Sequence, residues 1–337
     1  MNLVRAELER LSARRFVQLM VVLLVLAFAV TAATTLVGSH KPTVSELNSA
    51  REQAADARRS MEVTHQQCLA YQDDSLPSGT NETFPSDCSA IDPIRQDRLP
   101  IAADYLSGVF NFADQARPLL YFLIAFLVLF GFLVGASYIG ADLNSGGVVN
   151  LLLWRPRRMT VLAAKLGTLL GTVLVLALLA SAAYLATFWM IGQTAGLPGR
   201  LDGDFWRSLG AVHGRGLVLV LLASAVGFAI ATLGRHTSAA LGALAAYAVV
   251  WELGGRLVLE IIDARRPDRL MLSSHIGAWL SGGARFFDPR LCAGSSGTDY
   301  CEGFYSLTWP TALAVLLLLT GGLTAAAFAV FRRRDLI

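Results

Sequence analysis

Six stretches of the chain are almost unbroken in apolar residues: 16–37, 118–139, 161–191, 216–234, 238–262 and 309–331. A helix needs roughly 20 such residues to cross the hydrocarbon core of a bilayer, so each stretch is predicted to be a membrane-spanning helix. The runs are continuous and rich in Leu, Ala and Val. They lack the alternation over strands of about ten residues that builds a membrane barrel. The fold class is therefore all-α, an integral membrane protein with six transmembrane helices. The polar intervals are a short amphipathic N-terminal helix (1–15), a long insert (38–117), a compact segment (140–160), a loop with an interfacial stretch (192–215), a turn (235–237), a second long loop (263–308) and a tail (332–337).

Within the long insert, Thr43-Val-Ser-Glu46 has the capping-box pattern, and helix formers without Gly or Pro follow to about residue 70. The next stretch holds Pro77, Pro85, Pro93 and Pro100 and reads as loop. The insert is thus a small helical cap with too few apolar residues for a large core. In the second long loop, residues 270–280 are apolar but too short to cross, which suits a re-entrant helix.

Composition supports the membrane reading. The 337 residues are 54% hydrophobic and 16% charged, and the mean hydropathy is +0.53, an apolar excess that a soluble domain of this length cannot bury. The formal net charge of +3 gives no reason to expect a nucleic-acid partner, but the placement of charge is informative. Arg5, Arg10, Arg14 and Arg15 precede the first span, Arg155, Arg157 and Arg158 lie between the second and third, Arg235 between the fourth and fifth, and Arg332 to Arg334 after the sixth. By the positive-inside rule both termini are cytoplasmic and the cap is extracytoplasmic, the topology of a multi-pass protein of a bacterial inner membrane. The first span resembles a signal peptide in its arginine-rich start, but its apolar run is too long for an h-region.

All four cysteines fall on the expected outer side, Cys68 and Cys88 in the cap and Cys292 and Cys301 in the last loop. Pairing within each loop needs no long-range docking, so disulfides Cys68–Cys88 and Cys292–Cys301 are expected, with free thiols as the alternative. No Cys/His spacing suits a metal.

Catalytic chemistry has little foothold. A P-loop requires Gly-Lys-Ser/Thr, and the two lysines are Lys41, before a proline, and Lys165, after an alanine. The five histidines are scattered, with no His-x-x-x-His pair and no Gly-x-Ser-x-Gly elbow. No enzyme activity and no cofactor are expected in this chain.

The compact segment is the most informative. Gly146 and Gly147 permit a turn, Leu151 to Trp154 present an apolar face outside the bilayer, and Pro156 stops the helix before Arg157 and Arg158. An exposed apolar patch marks a partner surface; the other reading is an interfacial helix resting on lipid headgroups. Asp142, Gly146, Leu151, Leu152, Pro156, Arg158 and Lys165 together resemble the signature between the second and third spans of ABC-2 type transporter permeases. The six-span plan, the N-terminal amphipathic helix with Arg5, Glu7, Glu9 and Arg10, and the turn at Arg235 resemble that family too. Two departures are Asp142 where Glu is more usual, and Trp154-Arg155 where smaller residues are common.

The resemblance implies a permease subunit that exports a hydrophobic or amphipathic substrate, pairs with a second permease chain, and is driven by a separate ABC ATPase that binds the ATP and Mg. It implies that Asp142, Asn144, Gly146, Leu151, Leu152, Trp154, Arg155, Pro156, Arg157 and Arg158 form a coupling helix docked on that ATPase, with Arg5, Glu7, Glu9 and Arg10 as a second contact.

In the fifth span, Glu252, Arg256 and Glu260 are spaced by four and are expected to share one helical face. Charges at membrane depth mark pathways by default, although a structural pair turned into the bundle fits equally. Two rivals stand beside the permease. A membrane-anchored sensor or scaffold whose cap binds a partner would not need the apolar, arginine-flanked insert. A secondary transporter would show internal repeats and broken helices.

Overall fold

The computed structural model describes residues 3–73, 88–95, 99–145, 158–262, 264–288 and 303–333. Six helices are long and apolar enough to cross a membrane: α2 (Arg15–Val37), α4 (Phe112–Asn144), α5 (Arg158–Thr194), α6 (Gly203–Gly234), α7 (Thr237–Ile261) and α9 (Trp309–Arg333). The all-α membrane class is observed. Three further helices lie outside the spans: α1 (Leu3–Ser12), α3 (Val44–Gln72) and α8 (Leu272–Ser281).

The core is the pair α4 and α6. Small residues let their backbones approach, as membrane helix contacts require when lipid supplies no hydrophobic drive. A Cβ on Gly135 would stand 2.3 Å from the Ser224 carbonyl oxygen, and one on Gly227 would stand 2.2 Å from that of Phe132. Around the pair, α5 contributes Leu169, Val173, Tyr184 and Phe188 to the buried cluster. The peripheral α2 buries only Val17 and Leu24.

Helix starts extend beyond the apolar runs. The fourth begins at Gly203, capped by the Asp202 carboxylate, which accepts from the Phe205 amide at 2.9 Å. Its end is a tight turn in which Arg235 adopts φ 62°, so that α7 folds straight back.

In the cap, Thr43 and Glu46 form the reciprocal capping box: the Thr43 amide donates to Glu46 at 2.7 Å and the Glu46 amide to the Thr43 hydroxyl at 3.3 Å. Hydrogen bonds from the Thr43 amide and hydroxyl hold the Glu46 carboxyl below its usual range. Cys68 and Cys88 are joined in a disulfide, which pins α3 to the turn at Cys88–Ile91. Cys292 and Cys301 lie outside the described residues.

Two small strand pairs accompany the helices. β1 (Phe110–Asn111) runs parallel to β2 (Gly196–Leu197), and the Ser39 hydroxyl donates to the Ala195 carbonyl while accepting from the Phe110 amide at 2.9 Å. The ends of α2, α4 and α5 are thereby tied together. β3 (Gly283–Phe287) pairs antiparallel with β4 (Phe304–Thr308), Arg285 opposite Ser306. This hairpin occupies part of what the sequence presents only as loop.

Candidate functional site

The chain concentrates buried charge at its arginine-rich end, where α1, α4 and α5 meet. α1 is amphipathic: Leu11 and Glu7, one turn apart, face inward, while Arg5, Glu9 and Arg10 face out. α4 delivers Tyr138 and Asp142, also one turn apart, and α5 delivers Lys165 two turns from its start. The link between α1 and α2 supplies Arg14.

These side chains form one closed network. Lys165 Nζ donates to Glu7 Oε2 at 2.6 Å and to Asp142 Oδ2 at 2.7 Å. The Tyr138 hydroxyl donates to the same Glu7 oxygen. Arg14 donates to Asp142 Oδ1 through one nitrogen and to the Ser137 carbonyl at 3.1 Å through another. Both cations also lie over the Tyr138 ring, Lys165 at 4.9 Å and Arg14 at 5.2 Å from its centre. Side-chain exposure is 1% for Lys165, 2% for Glu7 and 13% for Asp142.

Two carboxylates and two cations balance within this core, as burial demands, since an unpaired charge removed from water costs several kcal/mol. Arg10 adds an outer contact to Glu7 at 3.6 Å and stays half exposed. The cluster ties α1, α4 and α5 together. Among the described residues no group of three or more His, Cys, Asp and Glu side chains is placed to hold a metal.

Glu7 and Asp142, expected from sequence at an ATPase contact, turn their carboxylates inward onto Lys165. Arg5 and Glu9 pair with each other on the surface at 3.2 Å, one turn apart. Asn144 is exposed at the end of α4, and Arg158 begins α5. Gly146, Leu151, Leu152, Trp154, Arg155, Pro156 and Arg157 lie outside the described residues. Both ends of their segment adjoin the network, Asp142 four residues before Gly146 and Lys165 eight residues after Arg157.

Nothing in the sequence marks Tyr138 as a member of this network, and it marks Arg14 only as one of the arginines before the first span and Lys165 only as part of the family signature. The available signal was Lys165 itself, a cation just inside an apolar run, where a partner is obligatory.

The charge stripe of the fifth span is divided. Arg256 pairs with Glu260 at 3.2 Å and approaches Asp268 at 3.8 Å. Glu252 does not join them. It accepts from Tyr247, and from the amide and hydroxyl of Ser273. Over Tyr247–Gly255, the stretch that carries Glu252, α7 winds as a π-helix.

A family model described as ABC-2 family transporter protein matches residues 1–336. No curated protein and no solved structure matches the chain. Covered almost end to end by that family, and with six helices able to span a membrane, the chain belongs to the ABC-2 family of transporter proteins.

Proposed function

We propose that the chain is the membrane-spanning half of an ATP-driven exporter. Two copies, or this chain and a related one, line the pathway, and a separate ABC ATPase docks on residues 146–157 and the outer face of α1. Both termini are then cytoplasmic, the cap is extracytoplasmic, and the substrate is hydrophobic or amphipathic.

The observation that supports this reading is the network of Glu7, Arg14, Tyr138, Asp142 and Lys165. It joins α1 to α4 and α5 next to the segment 146–157. Force applied to that segment by a closing ATPase reaches two spans and the N-terminal helix together. The cluster balances its charges within itself, so it can transmit displacement without leaving a charge unpaired.

The test is recovery of the tagged full-length chain from its native membrane, followed by assay of ATP hydrolysis and of associated proteins. The double variant Leu151→Asp, Leu152→Asp should fold, as judged by unchanged melting, and lose the ATPase. Undiminished association in that variant would overturn the docking site. A native preparation with no ATP hydrolysis would favour the sensor or scaffold reading.

A further inference from the structure

The π-helical stretch of α7 and the start of α8 are built as one unit. A π-turn closes i→i+5 hydrogen bonds and takes about one residue more per turn than the 3.6 of an α-helix. Residues four and five apart therefore flank a common direction. Tyr247, Trp251 and Glu252 have this spacing, and all three reach the approach to α8. Trp251 Nε1 donates to the Leu270 carbonyl at 3.1 Å. The Leu272 amide donates to the Tyr247 hydroxyl at 3.2 Å, which in turn donates to Glu252 Oε1 at 2.9 Å. Ser273 completes the set, its amide donating to Glu252 Oε1 at 2.9 Å and its hydroxyl to Oε2 at 2.8 Å.

In an uninterrupted α-helix Glu252 would point roughly 140° away from Tyr247, and the set would not assemble. The first amides of a helix have no partner within it. At the N-cap of α8, Met271 offers no side-chain hydrogen bond. Glu252 fills that role from a different helix.

The two halves of α8 are held differently. Its C-terminal half packs Ala278 and Trp279 against Leu219 and Leu316, and Trp279 donates to the Arg215 carbonyl at 2.9 Å. Its N-terminal half is held by α7. The helix forms one wall of a cavity of about 610 Å³ along its length, with Ser273 and Ser274 from the N-terminal half and Gly277, Leu280 and Ser281 from the rest, facing Tyr121 and Phe286.

We propose that Tyr247, Trp251 and Glu252 are positioning residues that hold the N-terminal half of α8 as the movable part of this cavity's wall, with the π winding as their release. When α8 leaves, the stretch loses these bonds and relaxes to α-helix. Glu252 is then carried round by about one residue, roughly 100°, so the contact reforms only when π winding returns. The role of the cavity in transport rests on the permease reading; the coupling of winding to docking does not.

Hydrogen exchange on the full chain in nanodiscs, without any partner, tests this. In Glu252→Ala, the amides of residues 272–277 and 249–255 should exchange about tenfold faster together, while those of α4 and α6 keep their protection. Deleting Val250 removes the extra residue, leaving Tyr247, Trp251 and Glu252 three and four apart on an ordinary helix, still on one face. That variant should keep α8 protected and slow the exchange of the former π stretch. Unchanged exchange in Glu252→Ala, loosening of only one of the two segments, or exposure of α8 on deletion of Val250 would each overturn the proposal. Absence of an ATPase would leave these results as they are and count only against the permease reading.

Discussion

Lys165 on α5 places its ammonium 2.6 Å from the carboxylate of Glu7 on α1, with both side chains sealed from solvent. In Lys165→Met, Glu7 and Asp142 would face each other with only Arg14 and the half-exposed Arg10 as near cations. The expected cost is about 3–5 kcal/mol, the penalty of stranding a buried charge. Glu7→Gln combined with Lys165→Met should cost clearly less than the sum of the single changes, because the double variant leaves less charge uncompensated. Unfolding of the four proteins in one detergent measures the coupling, and strict additivity would dissolve the network as a unit.

Two glycine substitutions should move stability in opposite directions. At Gly135 a Cβ meets the Ser224 backbone, which cannot step aside, so Gly135→Ala should cost about 1–3 kcal/mol. At Gly167 nothing lies within 4 Å of the added atom. Gly167→Ala should stabilise α5 by roughly 0.5–1 kcal/mol through helix propensity alone. Melting temperatures of the two variants against wild type decide the signs.

The cap depends on its cross-link. Cys68 and Cys88 are 20 residues apart in sequence, and closing a loop near this size removes denatured-state freedom worth about 3 kcal/mol. Cys68→Ser with Cys88→Ser should leave the spans intact but make the cap cleavable by protease under conditions where wild type resists. Equal resistance would show that α3 stands without the bond.

An alkaline titration reads the hairpin next to the cavity. Burial, and donation to Asp268 at 3.0 Å, push the Tyr305 phenol up from 10 to about 12. The neutral form is the one favoured by folding, so this contribution is full below pH 10 and is lost as pH rises through about 12. The difference in tyrosinate absorbance between wild type and Tyr305→Phe should show its step near the upper value. A step at the ordinary value would separate Tyr305 from Asp268.

What was legible in the sequence divides along a physical line. The spans are compositional, since hydrocarbon solvation needs only length and apolarity, and all six are found as helices. The capping box at Thr43 and Glu46 is local and was equally readable. The inward turn of Glu7 was not, because its partner is 158 residues away and an alternating charge pattern on a short helix looks solvated. The stripe of Glu252, Arg256 and Glu260 assumes a constant 3.6-residue turn, and no residue in 247–255 announces a different winding. The pairing of β3 with β4 is a tertiary fact between short segments that carry no turn signal of their own. Gly135 and Gly227 looked like ordinary glycines of an apolar run until their helices were seen in contact.

The distance along the chain between Glu7 and Lys165 also has a meaning in time. A ribosome adding about 5–20 residues per second needs roughly 8 to 32 s to make the 158 residues that separate them. Through that interval Glu7 has no ammonium to meet and stays hydrated, so α1 waits outside the bundle while α2 to α4 are already made. α1 is made long before it can close, its docking timed by the emergence of a single lysine 158 residues later.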